Sequence, residues 1–118
     1  MGEANPITLR NVANLQLILL EEAEGLQQSD ARSIIGDVKY EMKKTLEAFM
    51  SLNSSWIYRL DVASLQTNLG FIAIWQGKPK TAKRWLRKVE EIELPPGHAL
   101  THRIIVLDER VDELEKYL

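Results

Sequence analysis

Apolar residues recur at spacings of three and four along nearly the whole chain, and no window alternates apolar and polar with a period of two. That pattern predicts an all-α protein of about five helices. Asn5-Pro6 opens the first, because Asn caps free first-turn N–H groups and Pro at the first helical position forfeits no bond. This helix is expected from Pro6 to about Gln28, with Leu9, Val12, Ala13, Leu19, Ala23 and Leu26 inward. Leu15, Leu17 and Ile18 widen the stripe, which predicts contacts on two sides. A second start at Ser29, with Asp30 and Arg32, leads into Ile34, Ile35, Val38, Met42, Leu46, Phe49 and Met50, opposite a face of alternating charge.

The turn "SLNSS" at 51–55 predicts a third helix opening at Trp56. Between there and Gln76 only Arg59 and Asp61 are charged, and apolar side chains fall on every face, so this helix is expected at the centre. Gly77-Lys78-Pro79 ends it. A fourth helix follows to about Leu94 with Ala82, Trp85, Leu86, Val89 and Ile92 inward, and Pro95-Pro96-Gly97 breaks the chain again. The last helix carries Leu100, Ile104, Leu107, Val111, Leu114 and Leu118 in a seven-residue repeat, a seam expected to pack within the chain. The organisation predicted is one domain, 1–118: an N-terminal hairpin (1–53), a second hairpin (54–95) and a closing helix (96–118).

The second hairpin resembles a tetratricopeptide repeat, on Leu69-Gly70, Gly77, Ala82, Leu86, Val89 and Pro95. Gly70 and Ala82 are small where two helices would cross closely, and Gly77 suits a left-handed helix end. Gln66 and Ala73 depart from the family, which has Trp and Tyr there, and residues 1–53 do not repeat the motif. The resemblance implies a short solenoid with a C-terminal capping helix, as an alternative to an orthogonal bundle. It also implies a scaffold that binds a protein or peptide partner on the face matching Ser64, Thr67, Phe71 and Ile74. The basic and Asn positions with which some members clamp a C-terminal carboxylate are absent from that face, so an apolar contact is expected.

A polar cluster, Ser64, Gln66, Thr67 and Asn68, interrupts the apolar third helix. Buried polar groups require partners, and the reading preferred is that one strip of this helix faces a groove. Charge adds a second candidate. The net charge is −2, yet residues 77–94 hold six basic and three acidic side chains. Lys80, Lys83, Arg84 and Arg87 share a helix side, a spacing able to follow a phosphate backbone, so nucleic-acid binding is the alternative function. Trp85 lies on the inward stripe rather than on that side. The acidic outer face of the last helix offers a complement to these charges, and a homodimer is possible.

Composition limits the chemistry. With no cysteine there is no thiolate, and His98 and His102, four apart, lack an evident third ligand, so no metal site and no cofactor are expected. No serine is set beside a base and no glycine-rich loop cradles phosphate, so no catalytic residue is assigned and the protein is read as non-catalytic. The longest apolar run, Leu17 to Leu20, cannot span a bilayer, and the start of the chain lacks a basic leader before an apolar block. A cytoplasmic protein–protein interaction module, an adaptor or assembly subunit, is the function this predicts.

Overall fold

The structure, a computed structural model, describes residues 6–24, 28–52 and 55–117. Among them are five α-helices and no strand: α1 (Pro6–Glu24), α2 (Gln28–Met50), α3 (Arg59–Trp75), α4 (Pro79–Glu90) and α5 (Ala99–Lys116), with a 3₁₀ turn at Ser55–Tyr58. The all-α architecture read from periodicity is the one observed. The chain divides into two compact units, Met1–Asp61 and Val62–Leu118. The caps assigned to Asn5, Ser29 and Asp30, and the inward roles given to Leu17, Leu19, Ala23, Leu26, Trp56 and Leu118, lie outside the residues or side chains described.

In the first unit α2 supplies the core. Val38, Met42, Leu46 and Phe49 are buried at spacings of four, four and three, and Met50, placed in this stripe by the sequence pattern, is exposed instead. Leu9 of α1 is buried, but Val12, Leu15 and Ile18 are exposed, so among the described side chains the outer part of the α1 stripe is not buried. Its buried seam includes a polar residue: Gln16 donates through Nε2 to Thr45 Oγ1 at 3.0 Å, and Thr45 donates in turn to Glu41 O at 2.9 Å. Each polar group in that chain except Gln16 Oε1 finds a partner, which limits the cost of burying them.

The end of α2 is closed by its own side chain. Ser51 donates through Oγ to Ala48 O at 2.8 Å, and Ser51 N reaches Glu47 O at 3.0 Å. The "SLNSS" turn therefore finishes α2 and leads through a 3₁₀ turn, whose Tyr58 ring stands 6.0 Å from that of Phe49, before α3 begins at Arg59. Arg10 of α1 grips Asp61 of α3 with two bonds, Nε to Oδ1 at 2.9 Å and Nη2 to Oδ2 at 2.8 Å. The hydrogen bond, then the charge of Asp61, raises the Arg10 pKa further above its ordinary value.

Gly36 lies inside α2, exposed, and beyond its chain neighbours and its own helix backbone nothing stands within 4 Å of where a Cβ would be. Glycine there carries backbone entropy without any steric reason for it. Gly36→Ala is expected to raise stability by about 0.5–1 kcal/mol, read from the midpoint of urea unfolding.

The second unit is built on α3. Its positions 62, 63, 65–70, 72 and 73 are all buried, as a helix apolar on every face requires. α3 stops where Gly77 takes φ +70°: Lys78 N reaches Ala73 O at 2.8 Å and Gly77 N reaches Ile74 O at 3.0 Å, the paired bonds of a Schellman ending. Pro79 then starts α4, which ends at Glu90, a turn earlier than expected; Ile92 and Leu94 nevertheless pack on the core. Gly97, at φ +75°, closes the 95–98 turn, in which His98 N reaches Pro95 O at 3.1 Å. His98 caps α5, its Nδ1 accepting from Leu100 N at 3.1 Å.

A core of Ala63, Ala73, Ala82, Leu86, Val89, Leu100, Leu107 and Val111 joins α3, α4 and α5. The α5 seam is thus satisfied within the chain. At Gly70 α3 and α5 pack with no room for a side chain: a Cβ built on it would stand 2.6 Å from Leu107 Cδ2. The close crossing that Gly70 permits is therefore with α5.

Candidate partner-binding surface

Residues that share one side of α3 recur at four, three and four: Ser64, Asn68, Phe71 and Trp75. This is the side that the rest of the second unit leaves partly open. Ser64 and Phe71 are half-buried and Trp75 is 39% exposed. Asn68 is buried beneath Arg103 of α5, whose Nη2 donates to Asn68 Oδ1 at 2.6 Å. The same guanidinium carbon lies 5.4 Å from the centre of the Phe71 ring. A charge-assisted hydrogen bond and a ring face thus fix one half-buried arginine, and little side-chain freedom remains for binding to remove.

The four residues expected at a partner-binding face are distributed differently. Ser64 and Phe71 lie on the open strip. Ile74 is half-buried and packs with Phe71 on the core, at the strip's edge. Thr67 is fully buried and donates through Oγ1 to Ala63 O at 2.7 Å, so its side chain is part of the interior. The reason is angular: Thr67 and Ile74, separated by seven residues, are turned toward the packed side by about 60–80° from Ser64.

The polar cluster follows the same geometry. The expectation that its strip faces a groove is corrected for Gln66, Thr67 and Asn68, all buried. Thr67 bonds to its own helix and Asn68 to α5, while Gln66 Oε1 has no partner. An unpaired buried acceptor costs about 1–3 kcal/mol. Gln66→Leu is accordingly expected to leave stability unchanged or to raise it by up to about 1 kcal/mol, measured by thermal and urea unfolding.

On α4, Lys80, Arg84 and Arg87 are exposed and Lys83 is half-buried. Lys83 Nζ reaches Glu115 Oε1 at 3.4 Å, and Arg84 Nη2 donates to Thr81 Oγ1 at 3.3 Å. Trp85 is half-buried with Lys88 Nζ 4.8 Å over its ring, which leaves that face covered rather than offered for base stacking. His98 Nδ1 is engaged in capping. Among the described residues no group of three or more His, Cys, Asp or Glu side chains is placed to hold a metal ion, and no helix is long and apolar enough to cross a membrane.

Arg103 and Trp75 were not singled out as site residues by sequence reasoning. A signal for Arg103 exists: it precedes Ile104 of the α5 seam by one place, a flanking position from which a long side chain reaches the neighbouring helix. Compared with family models, with curated proteins and with solved structures, the chain gives no match.

Proposed function

We propose that the chain is a non-catalytic protein-interaction module, an adaptor or assembly subunit, whose contact surface is the α3 strip of Ser64, Phe71 and Trp75 with Arg103 of α5 beside it and Ile74 at its edge. The observation that carries this reading is the fixed Arg103–Phe71 pair. Arginine and aromatic residues dominate binding energy at protein interfaces when they are held in place and desolvated by a partner. Here the ordering cost of the arginine is already met by Asn68. The half-buried, mostly apolar strip fits a short peptide segment or partner helix presenting apolar side chains, with an acceptor placed for Arg103. The likeness of residues 62–95 to a tetratricopeptide hairpin agrees with a scaffold of this kind.

The experiment is capture of partners from lysate by the immobilised chain, compared with Arg103→Ala and Trp75→Ala. Each variant is expected to lose at least about 1 kcal/mol of binding, a fivefold or greater drop in captured partner, as truncation of an interface anchor does. Helical circular dichroism serves as the folding control. Trp75 is exposed, so its variant is expected to keep the parent's unfolding midpoint, whereas Arg103→Ala leaves Asn68 Oδ1 unpaired and is expected to lose about 1–3 kcal/mol of stability while staying helical. Equal capture by the parent and both folded variants would remove the reading.

A further inference from the structure

Two exposed ridges of opposite sign lie on neighbouring helices of the second unit. On α4, Lys80, Arg84 and Arg87 follow at four and three; on α5, Asp108, Asp112 and Glu115 follow at four and three as well. Each ridge spans seven residues, about 10 Å of helix. The Lys83–Glu115 contact brings the Glu115 end of the acidic ridge beside α4.

Arg87, in the last turn of α4, suits the dipole of its own helix, but the rest of the two ridges is not explained in this way. Lys80 stands in the first turn of α4, where the helix dipole disfavours cations, and Asp112 and Glu115 stand near the end of α5, where it disfavours anions. A phosphate backbone laid along α4 would run beside the acids of α5, with Lys83 already engaged by one of them. A surface carrying both signs side by side instead matches a copy of itself. A two-fold axis parallel to the helices sets α4 of one copy against α5 of the other, antiparallel, and repeats the contact symmetrically. Such an axis keeps heights along the helices, and Glu115 stands level with Lys83, so Lys80 faces Glu115, Arg84 faces Asp112 and Arg87 faces Asp108 with offsets of about 3–4.5 Å, two to three residues' rise, which these long side chains span.

We infer that the α4–α5 face is a self-association surface, whose occupant is a second copy of this chain held by these two sets of opposite charges. This surface is separate from the α3 strip, so the dimer and partner capture stand or fall independently. The dimer is electrostatic and salt-sensitive, because exposed charges are screened over about 10 Å at 0.1 M salt and about 3 Å at 1 M.

Sedimentation equilibrium of the full chain at about 0.05 M and 1 M salt tests it. A dimer at low salt that weakens on the order of tenfold or more at high salt is expected. Two reversed variants make the test specific: Lys80→Glu with Arg84→Glu and Arg87→Glu, and Asp108→Lys with Asp112→Lys and Glu115→Lys. Each alone is expected to be monomeric, while an equimolar mixture restores a dimer, since every ridge then meets its opposite. If either triple variant loses its helical dichroism, Arg84→Glu and Asp112→Lys are mixed in its place. A parent chain that stays monomeric at low salt overturns the inference, as does a variant that dimerises unchanged, a folded mixture that fails to associate, or retention of a single-stranded oligonucleotide with no dimer.

Discussion

Leu107→Ala is expected to lower stability by about 2–5 kcal/mol, the range for truncating a buried leucine. Leu107 is fully buried in the cluster joining α3, α4 and α5. Gly70→Ala is expected to lower it by about 1–3 kcal/mol despite the better helix propensity of alanine, because the new methyl would stand 2.6 Å from Leu107 Cδ2 and the fully buried Leu107 side chain must shift to make room. The two losses share one cause. Once Leu107 is shortened the clash is gone and the Gly70 methyl occupies part of the vacated volume, so the double variant is expected to cost at least about 1 kcal/mol less than the sum of the singles. Urea unfolding of the four proteins measures the coupling, and strict additivity would show that the helices do not meet at Gly70.

Phe49→Ala is expected to cost about 3–5 kcal/mol in the first unit. Phe49 is wholly buried near the end of α2 and faces the Tyr58 ring at 6.0 Å. Its removal leaves a cavity near the end of α2, beside the Tyr58 ring of the 3₁₀ turn. Phe49→Leu, which keeps most of the volume, is expected to lose less than half as much, by thermal unfolding. Equal losses would indicate that the ring's volume is not what Phe49 contributes.

The helices were legible because burial in this chain follows the three-and-four spacing: Val38, Met42, Leu46 and Phe49, or Leu100, Leu107 and Val111, are inward as their periodicity requires. Punctuation was legible for the same physical reason, since Gly77 and Gly97 occupy left-handed conformations where the breaks were read. What spacing could not convey is which side of an all-round apolar helix stays open. On α3 the polar residues suggested an exposed strip, yet Thr67 satisfies itself on Ala63 O and Asn68 is covered by Arg103, 35 residues away in sequence. The open side runs through Ser64 and Phe71, which the resemblance placed on the binding face, and through Trp75, which hydrophobicity alone assigns to the core. On α1 the reverse occurred: Leu15 and Ile18 look like core and are exposed, while Gln16 between them is buried because Thr45 supplies its partner. Long-range polar pairing decides such cases, and it leaves no periodic trace.

The central claim, that the Phe71–Trp75 strip beside Arg103 is the contact surface, is tested most directly by placing a photo-reactive phenylalanine analogue at Trp75 and, as a control, at the exposed Tyr117. Irradiation in lysate is expected to give a discrete cross-linked protein from position 75, lost on adding Arg103→Ala, and none from position 117. No cross-link at 75, or the same cross-links from both positions, would contradict it.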